Sequence, residues 1–81
     1  MVYVYVLQSL KDKGYYIGIS VNLNKRLKKH NSGGVESTGK RRPFKIVYFE
    51  EFENYSLARQ REKEIKSYKG GNSFRKLISV V

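Results

Sequence analysis

Apolar positions alternate with period two over Val2–Ser9, with Val2, Val4 and Val6 on one parity and Tyr3, Tyr5 and Leu7 on the other. Both sets are apolar or aromatic, which predicts a strand covered on both faces. Lys11-Asp12-Lys13-Gly14 is a turn signal, and Tyr15–Ser20 predicts a second strand that closes a hairpin. The pattern then changes to helical spacing. Asn22, with Ser20 as the alternative cap, opens a helix predicted to run to about Asn31, where Ser32-Gly33-Gly34 stops it. Residues 33–43 hold three of the seven Gly, the only Pro and the run Lys40-Arg41-Arg42, so they read as a basic loop. Phe44–Phe52 predicts a third strand, and Ser56–Lys69 a second helix stopped by Gly70-Gly71. Asn72 or Ser73 caps a short last helix with Phe74, Leu77 and Ile78 at i, i+3 and i+4. The order is β-β-α-β-α-α. No repeat, low-complexity tract or linker interrupts it, so residues 1–81 read as one domain.

Composition narrows the chemistry. Folding a chain of 81 residues buries only about 60–65% of its unfolded surface, so the core is thin. Hydrophobic content of 40%, with seven Tyr and four Phe, argues against disorder. The lack of Cys excludes a disulfide framework, a Cys-based zinc site and a Cys nucleophile, and a single His excludes a His-rich metal site. No apolar run approaches the ~20 residues of a membrane span. In Met1–Leu10 the basic residues follow the apolar stretch, unlike a secretory signal. The expectation is a soluble cytoplasmic protein with no membrane partner. Seventeen Lys+Arg against seven Asp+Glu leave a net charge of +10. That points to a polyanionic partner, usually nucleic acid, against the blander reading of a merely basic surface.

Several residues carry candidate chemistry. A hairpin with an even-numbered loop sets Tyr5, Leu7, Tyr16 and Gly18 on one sheet face. Gly18 inside a strand permits close approach by another group or a ligand; ordinary cross-strand aromatic packing is the alternative for the phenols. Asn22, Arg26 and His30 form one helical row at i, i+4 and i+8. His30 lies about 20° and Arg26 about 60° from Leu23 in projection, at the edge of the buried stripe. They read either as a core histidine and a solvated charge, or as a phosphate-binding arginine and a proton-transferring histidine. On the second helix, Leu57, Ala58, Ile65 and Tyr68 form the apolar stripe. Arg61 projects into it, so it snorkels, pairs with a carboxylate or reaches a phosphate. Glu62, at the stripe's edge, either holds a divalent cation or pairs with Lys66 at i+4. Asn72 reads first as a cap, and Lys40, Arg41 and Arg42 as a track for a nucleic-acid backbone or as a solvated loop.

In this order the residues resemble the GIY-YIG nuclease superfamily, in particular its small single-domain members of the UPF0213 type. Tyr3-Val4-Tyr5 stands for the first motif and Tyr16-Ile17-Gly18 for the second. The stretches Leu23–Leu27 and Arg61–Ile65, His30 and Arg41-Arg42-Pro43 follow in the family's order. The likeness covers about residues 2–79. It implies an α+β fold, with a three-stranded antiparallel sheet flanked by helices, and a phosphodiesterase site that uses Mg²⁺ or Mn²⁺. By position, Tyr5 is implied as general base, Tyr16 as a positioner of water or phosphate, and Arg26 as a ligand to a non-bridging oxygen. His30 is implied as a relay and Glu62 as the metal ligand. Gly18, Lys25, Lys40, Arg41, Arg42, Arg61 and, more loosely, Asn72 would line the nucleic-acid path. Tyr3 replaces the glycine that opens the first motif, on the face of Tyr5, where it bears on substrate fit.

DNA is the partner so implied, with RNA not excluded. A domain this small carries no second recognition unit, so sequence-specific cleavage would need a protein partner. Two other readings compete. One is a nucleic-acid-binding module that keeps the fold without cleaving. The other is a basic protein-interaction domain with no nucleic-acid affinity at low salt.

Overall fold

The computed structural model describes residues 1–35 and 38–79. Glu36 and Ser37, within the predicted basic loop, and Val80 and Val81 lie outside the described residues. Strand β1 (Val2–Ser9) occupies the centre of a three-stranded sheet, between β2 (Tyr15–Ser20) and β3 (Phe44–Phe52), with both pairings antiparallel. Helices α1 (Leu23–Asn31), α2 (Tyr55–Ser67) and α3 (Asn72–Ser79) complete the α+β order β-β-α-β-α-α, with a 3₁₀ turn at Gly39–Arg41. Among the described residues no helix is long and apolar enough to cross a membrane.

The unbroken apolar character of β1 follows from its central position. Val2, Val4 and Val6 are buried against Ala58, Ile65 and Phe74 of α2 and α3. Tyr5 and Leu7 are buried on the opposite face with Phe44, Tyr16, Leu23 and Leu27, beneath α1. A bulge in β3 adjusts the third strand to these two cores. Val6 pairs with Tyr48 and Leu7 with Ile46, leaving Val47 as the extra residue. Strict alternation would turn Ile46 and Tyr48 to one side. The bulge instead sends Ile46 to the Tyr5 face and Tyr48, with Phe52, to the valine face.

Local signals set the helix limits. The Asn22 side chain accepts from the Lys25 N–H at 3.0 Å, capping α1 as expected. Gly33, at φ +83°, takes the left-handed turn that ends it, its N–H reaching the His30 carbonyl. Helix α2 begins one residue before the expected Ser56, because Asn54 caps it through the Leu57 N–H. It ends at Ser67, short of the expected Lys69. Leu57, expected in the apolar stripe, is exposed, since Ala58 and Ile65 define the line that meets the sheet. Helix α3 already includes Asn72. The carbonyl of Gly71 accepts the Arg75 N–H, so the helix starts ahead of the expected caps.

Arg61 lies between Ala58 and Ile65 on the sheet-facing line, and of the three options open to it the structure shows carboxylate pairing. Its Nε donates to Glu50 at 3.0 Å, its Nη2 to the other Glu50 oxygen at 2.9 Å, and its Nη1 to Glu64. Tyr48 donates to the same Glu50 carboxylate. Burial works to raise the Glu50 pKa, and the hydrogen bonds from Arg61 and Tyr48 outweigh it, leaving the carboxyl below its usual value. Arg61→Ala strands this carboxylate against the sheet. We expect a loss of about 1–3 kcal/mol in urea unfolding at pH 7. That loss should shrink as pH falls through the depressed Glu50 pKa, where the pair is already lost in the parent protein.

Candidate active site

The site is built on the register of the hairpin. Tyr5 pairs with Gly18 and Leu7 with Tyr16, so both phenols and the glycine share a face. Gly18 is buried, and the space over it is filled from within the chain. A Cβ there would lie 2.5 Å from the Tyr5 hydroxyl oxygen and 2.7 Å from its Cζ. The close approach that glycine allows is therefore made by Tyr5 itself.

Helix α1 brings its row of residues over this face. His30 is fully buried, with its ring edge-on to Tyr16 at 4.9 Å between centroids. Tyr5 and Phe44 rings flank it at 6.0 Å. One turn earlier, Arg26 Nε donates to the Tyr5 hydroxyl at 3.3 Å. Tyr5 Oη and His30 Nε2 lie 3.1 Å apart, and His30 Nδ1 is 2.7 Å from the hydroxyl of Thr38. Arg26, Tyr5, His30 and Thr38 thus form one hydrogen-bonded chain. Of the candidate site residues, Arg26, Tyr5 and His30 come together. Thr38 was not among the expected residues. It sits in a loop, where no periodicity marks a residue as inward-facing.

Electrostatics define the resting protonation. Burial raises the Tyr5 pKa, against the hydrogen bond from Arg26, so the group rests as a phenol. Burial, then the charges of Arg26 and Lys29, lower the His30 pKa below its ordinary value of 6.5. Because protonation is disfavoured in the fold, His30 contributes stability that is fully present above about pH 6.5 and declines as pH falls toward its depressed folded pKa. We expect the imidazole NMR signals to titrate with a midpoint below 6.5; a midpoint at or above that value would contradict the buried geometry.

Glu62, on α2, lies within electrostatic reach of Tyr5. Its side chain is 19% exposed and pairs with Lys66 Nζ at 3.2 Å. The i, i+4 pair is therefore present. The carboxylate is also close enough for its charge to raise the Tyr5 pKa. Among the described residues no three His, Cys, Asp or Glu cluster as metal ligands. A single, partly desolvated carboxylate is compatible with a hard divalent cation of the Mg²⁺ kind, which is often held by one or two carboxylates with water and substrate phosphate completing its shell.

The remaining expected residues spread around this centre. Lys25 joins Arg26, Lys28 and Lys29 along a cleft of about 520 Å³ beside α1. Lys40 and Arg42 line a recess with Lys11 and Gly39. Arg41 is engaged within the chain, with Nε 2.9 Å from Asp12 and its guanidinium 5.6 Å from the Phe44 ring centroid. Arg61 is held by Glu50 and Glu64, and Asn72 is exposed on the first turn of α3. Tyr3 shares the face of Tyr5, edge-on to Phe49, in a separate cleft of about 630 Å³ against the start of α1.

Residues 1–75 match the family model of the GIY-YIG catalytic domain. A UPF0213 protein of Clostridium perfringens is 51% identical over 67 residues, which cover 82% of this chain and 71% of that protein. A UPF0213 protein of Syntrophus aciditrophicus is 46% identical over 79% of this chain and 75% of its own length. The solution NMR structure of a UPF0213 protein from Bacillus halodurans superposes with a TM-score of 0.61 at 34% identity, over 99% of this chain and 85% of that one. Matched along its sequence by the family and in its fold by a relative, and carrying a tyrosine pair packed over a strand glycine, the chain belongs to the GIY-YIG catalytic domain family.

Proposed function

We propose that this chain is a divalent-metal-dependent endonuclease that hydrolyses phosphodiester bonds in DNA, choosing substrates by strand structure and leaving sequence choice to a protein partner. The observation that carries the reading is the buried chain from Arg26 through Tyr5 to His30, with the Glu62 charge in electrostatic reach of Tyr5. A phenol with an unperturbed pKa near 10 needs both a cation beside it and a proton acceptor to serve as a base at pH 7. Arg26 and His30 are those two groups. Tyr5 passes its proton to His30 Nε2 as it takes one from the attacking water. The water oxygen bonds to phosphorus, and the leaving oxygen departs with the electron pair of its broken bond and takes a proton from solvent. Arg26, with Nε spent on Tyr5, holds a non-bridging oxygen through its terminal nitrogens and stabilises the charge that builds there. Tyr16 orients the water or the phosphate. A divalent cation held by Glu62 would supply charge neutralisation at the scissile phosphate and the leaving oxygen.

Lys25, Lys40 and Arg42 are proposed to hold the strand on either side of the site. Arg41, Arg61 and Asn72 are proposed to shape the surface that the strand crosses, and Gly18 to shape it through the seating of Tyr5. The test is a cleavage screen with Mg²⁺ or Mn²⁺ over single-stranded, duplex, branched and damaged DNA, with RNA alongside. Cleavage of a DNA substrate that stops on chelation is expected. Salt-sensitive binding with no cleavage in any metal would leave a binding module, a reading that the net charge of +10 supports by itself.

A further inference from the structure

We propose that Thr38 is a positioning residue for the proton path, its hydroxyl accepting the His30 Nδ1 proton and so keeping Nε2 free to accept from Tyr5; this rests on the nuclease reading above. Thr38 is fully buried although it lies in a loop. Burying a hydroxyl is costly unless it is hydrogen-bonded. Its Oγ1 is 2.7 Å from His30 Nδ1 and 3.4 Å from the carbonyl oxygen of Val35. A carbonyl only accepts, so in its contact with Val35 the hydroxyl is the donor, which leaves a lone pair for His30. Neutral imidazole carries one N–H. With that proton on Nδ1, the bare Nε2 meets the Tyr5 O–H at 3.1 Å. The opposite tautomer would make the Tyr5 oxygen accept from both Arg26 and His30, leaving a buried O–H without an acceptor.

The placement of Thr38 is anchored to the strand that carries Tyr5. Its N–H donates to Val35 at 3.1 Å, and its carbonyl accepts from the Arg41 N–H at 3.0 Å. The Arg41 carbonyl accepts from the Ser9 hydroxyl at 2.5 Å, and Ser9 is the last residue of β1. Both ends of the Tyr5–His30–Thr38 chain are therefore tied to one strand. Distances along it are fixed by the sheet as well as by α1.

His30 is the only histidine in the sequence, so its ring nitrogens can be read without ambiguity. The experiment is long-range ¹H–¹⁵N NMR of the ¹⁵N-labelled protein at pH 7.5, without substrate, on the parent, Thr38→Val and Thr38→Ser. In the parent we expect Nδ1 protonated and Nε2 bare. Thr38→Val, similar in shape but without a lone pair, should move the proton to Nε2, and Thr38→Ser should restore it to Nδ1. In cleavage, Thr38→Val should lower kcat on the order of 10²-fold with KM nearly unchanged, as expected for a misdirected base, and Thr38→Ser should recover it. A parent protein with the proton on Nε2 overturns the proposal, whether or not the valine variant folds. So does a folded Thr38→Val that keeps the proton on Nδ1. The tautomer is read without substrate, so a protein that cleaves nothing fails the nuclease reading while the His30 signals still decide the placement of its proton by Thr38.

Discussion

Glu62→Ala is expected to lower cleavage on the order of 10³-fold or more while leaving DNA affinity undiminished. The loss on the reaction side follows from the role proposed for this carboxylate. Without it a divalent cation has no protein ligand beside Tyr5, and the charge on the phosphate loses its largest local compensation. On the binding side the change removes a negative charge from a chain of net charge +10, so attraction to a polyanion is kept or slightly strengthened. Stability should hardly move. The Glu62–Lys66 pair is an i, i+4 contact with Lys66 55% exposed, worth about 0.2–0.5 kcal/mol. Single-turnover cleavage, anisotropy binding and thermal melting on one preparation separate these effects. Undiminished cleavage by a folded variant would remove Glu62 from the site.

Gly18→Ala should damage both stability and cleavage. Its new methyl group would lie 2.5 Å from the Tyr5 hydroxyl and 3.2 Å from Tyr16 Cε1. Tyr5 cannot swing away cheaply, because it is buried and its hydroxyl is shared with Arg26 and His30. The expected cost is about 1–3 kcal/mol, typical of overpacking, with cleavage reduced on the order of 10²-fold by the shift of the phenol. Pairing the change with Tyr5→Phe tests the cause. Phenylalanine keeps the Cζ that would lie 2.7 Å from the methyl group but loses the hydroxyl tethered to Arg26 and His30, so its ring can shift and Gly18→Ala should be less destabilising in that background. Equal costs in the two backgrounds would show that packing of the ring, and not its hydrogen bonds, holds it against the methyl group.

At Glu62 the fold shows the pair with Lys66 that helical spacing allowed, and the same residue shows where linear reasoning stops. Spacing could not show that α2, packed on the valine face, brings the same carboxylate near a tyrosine on the other face. At Arg61 the spacing exposed a misplaced charge but not its partner, since Glu50 lies on β3 and reaches that face only through the bulge at Val47. The sequence also left Gly18 open to either a ligand or a neighbouring group. Only the packing of Tyr5 into its missing side chain decided between them.

By itself the sequence determined the elements and their order, the shared face of Tyr5, Tyr16 and Gly18, and the row of Arg26 and His30 on one helix. Those are consequences of short periodicities, two along a strand and 3.6 along a helix, which act between near neighbours. The tertiary structure alone decided that His30 is wholly buried, that Arg26 and His30 share the Tyr5 hydroxyl, and that Thr38 closes the chain. Each of these depends on where one element lies against another. Thr38 shows it most directly. It stands in a loop without periodicity, and its meeting with His30 is set by a 3₁₀ turn tied through Ser9 to the strand that bears Tyr5.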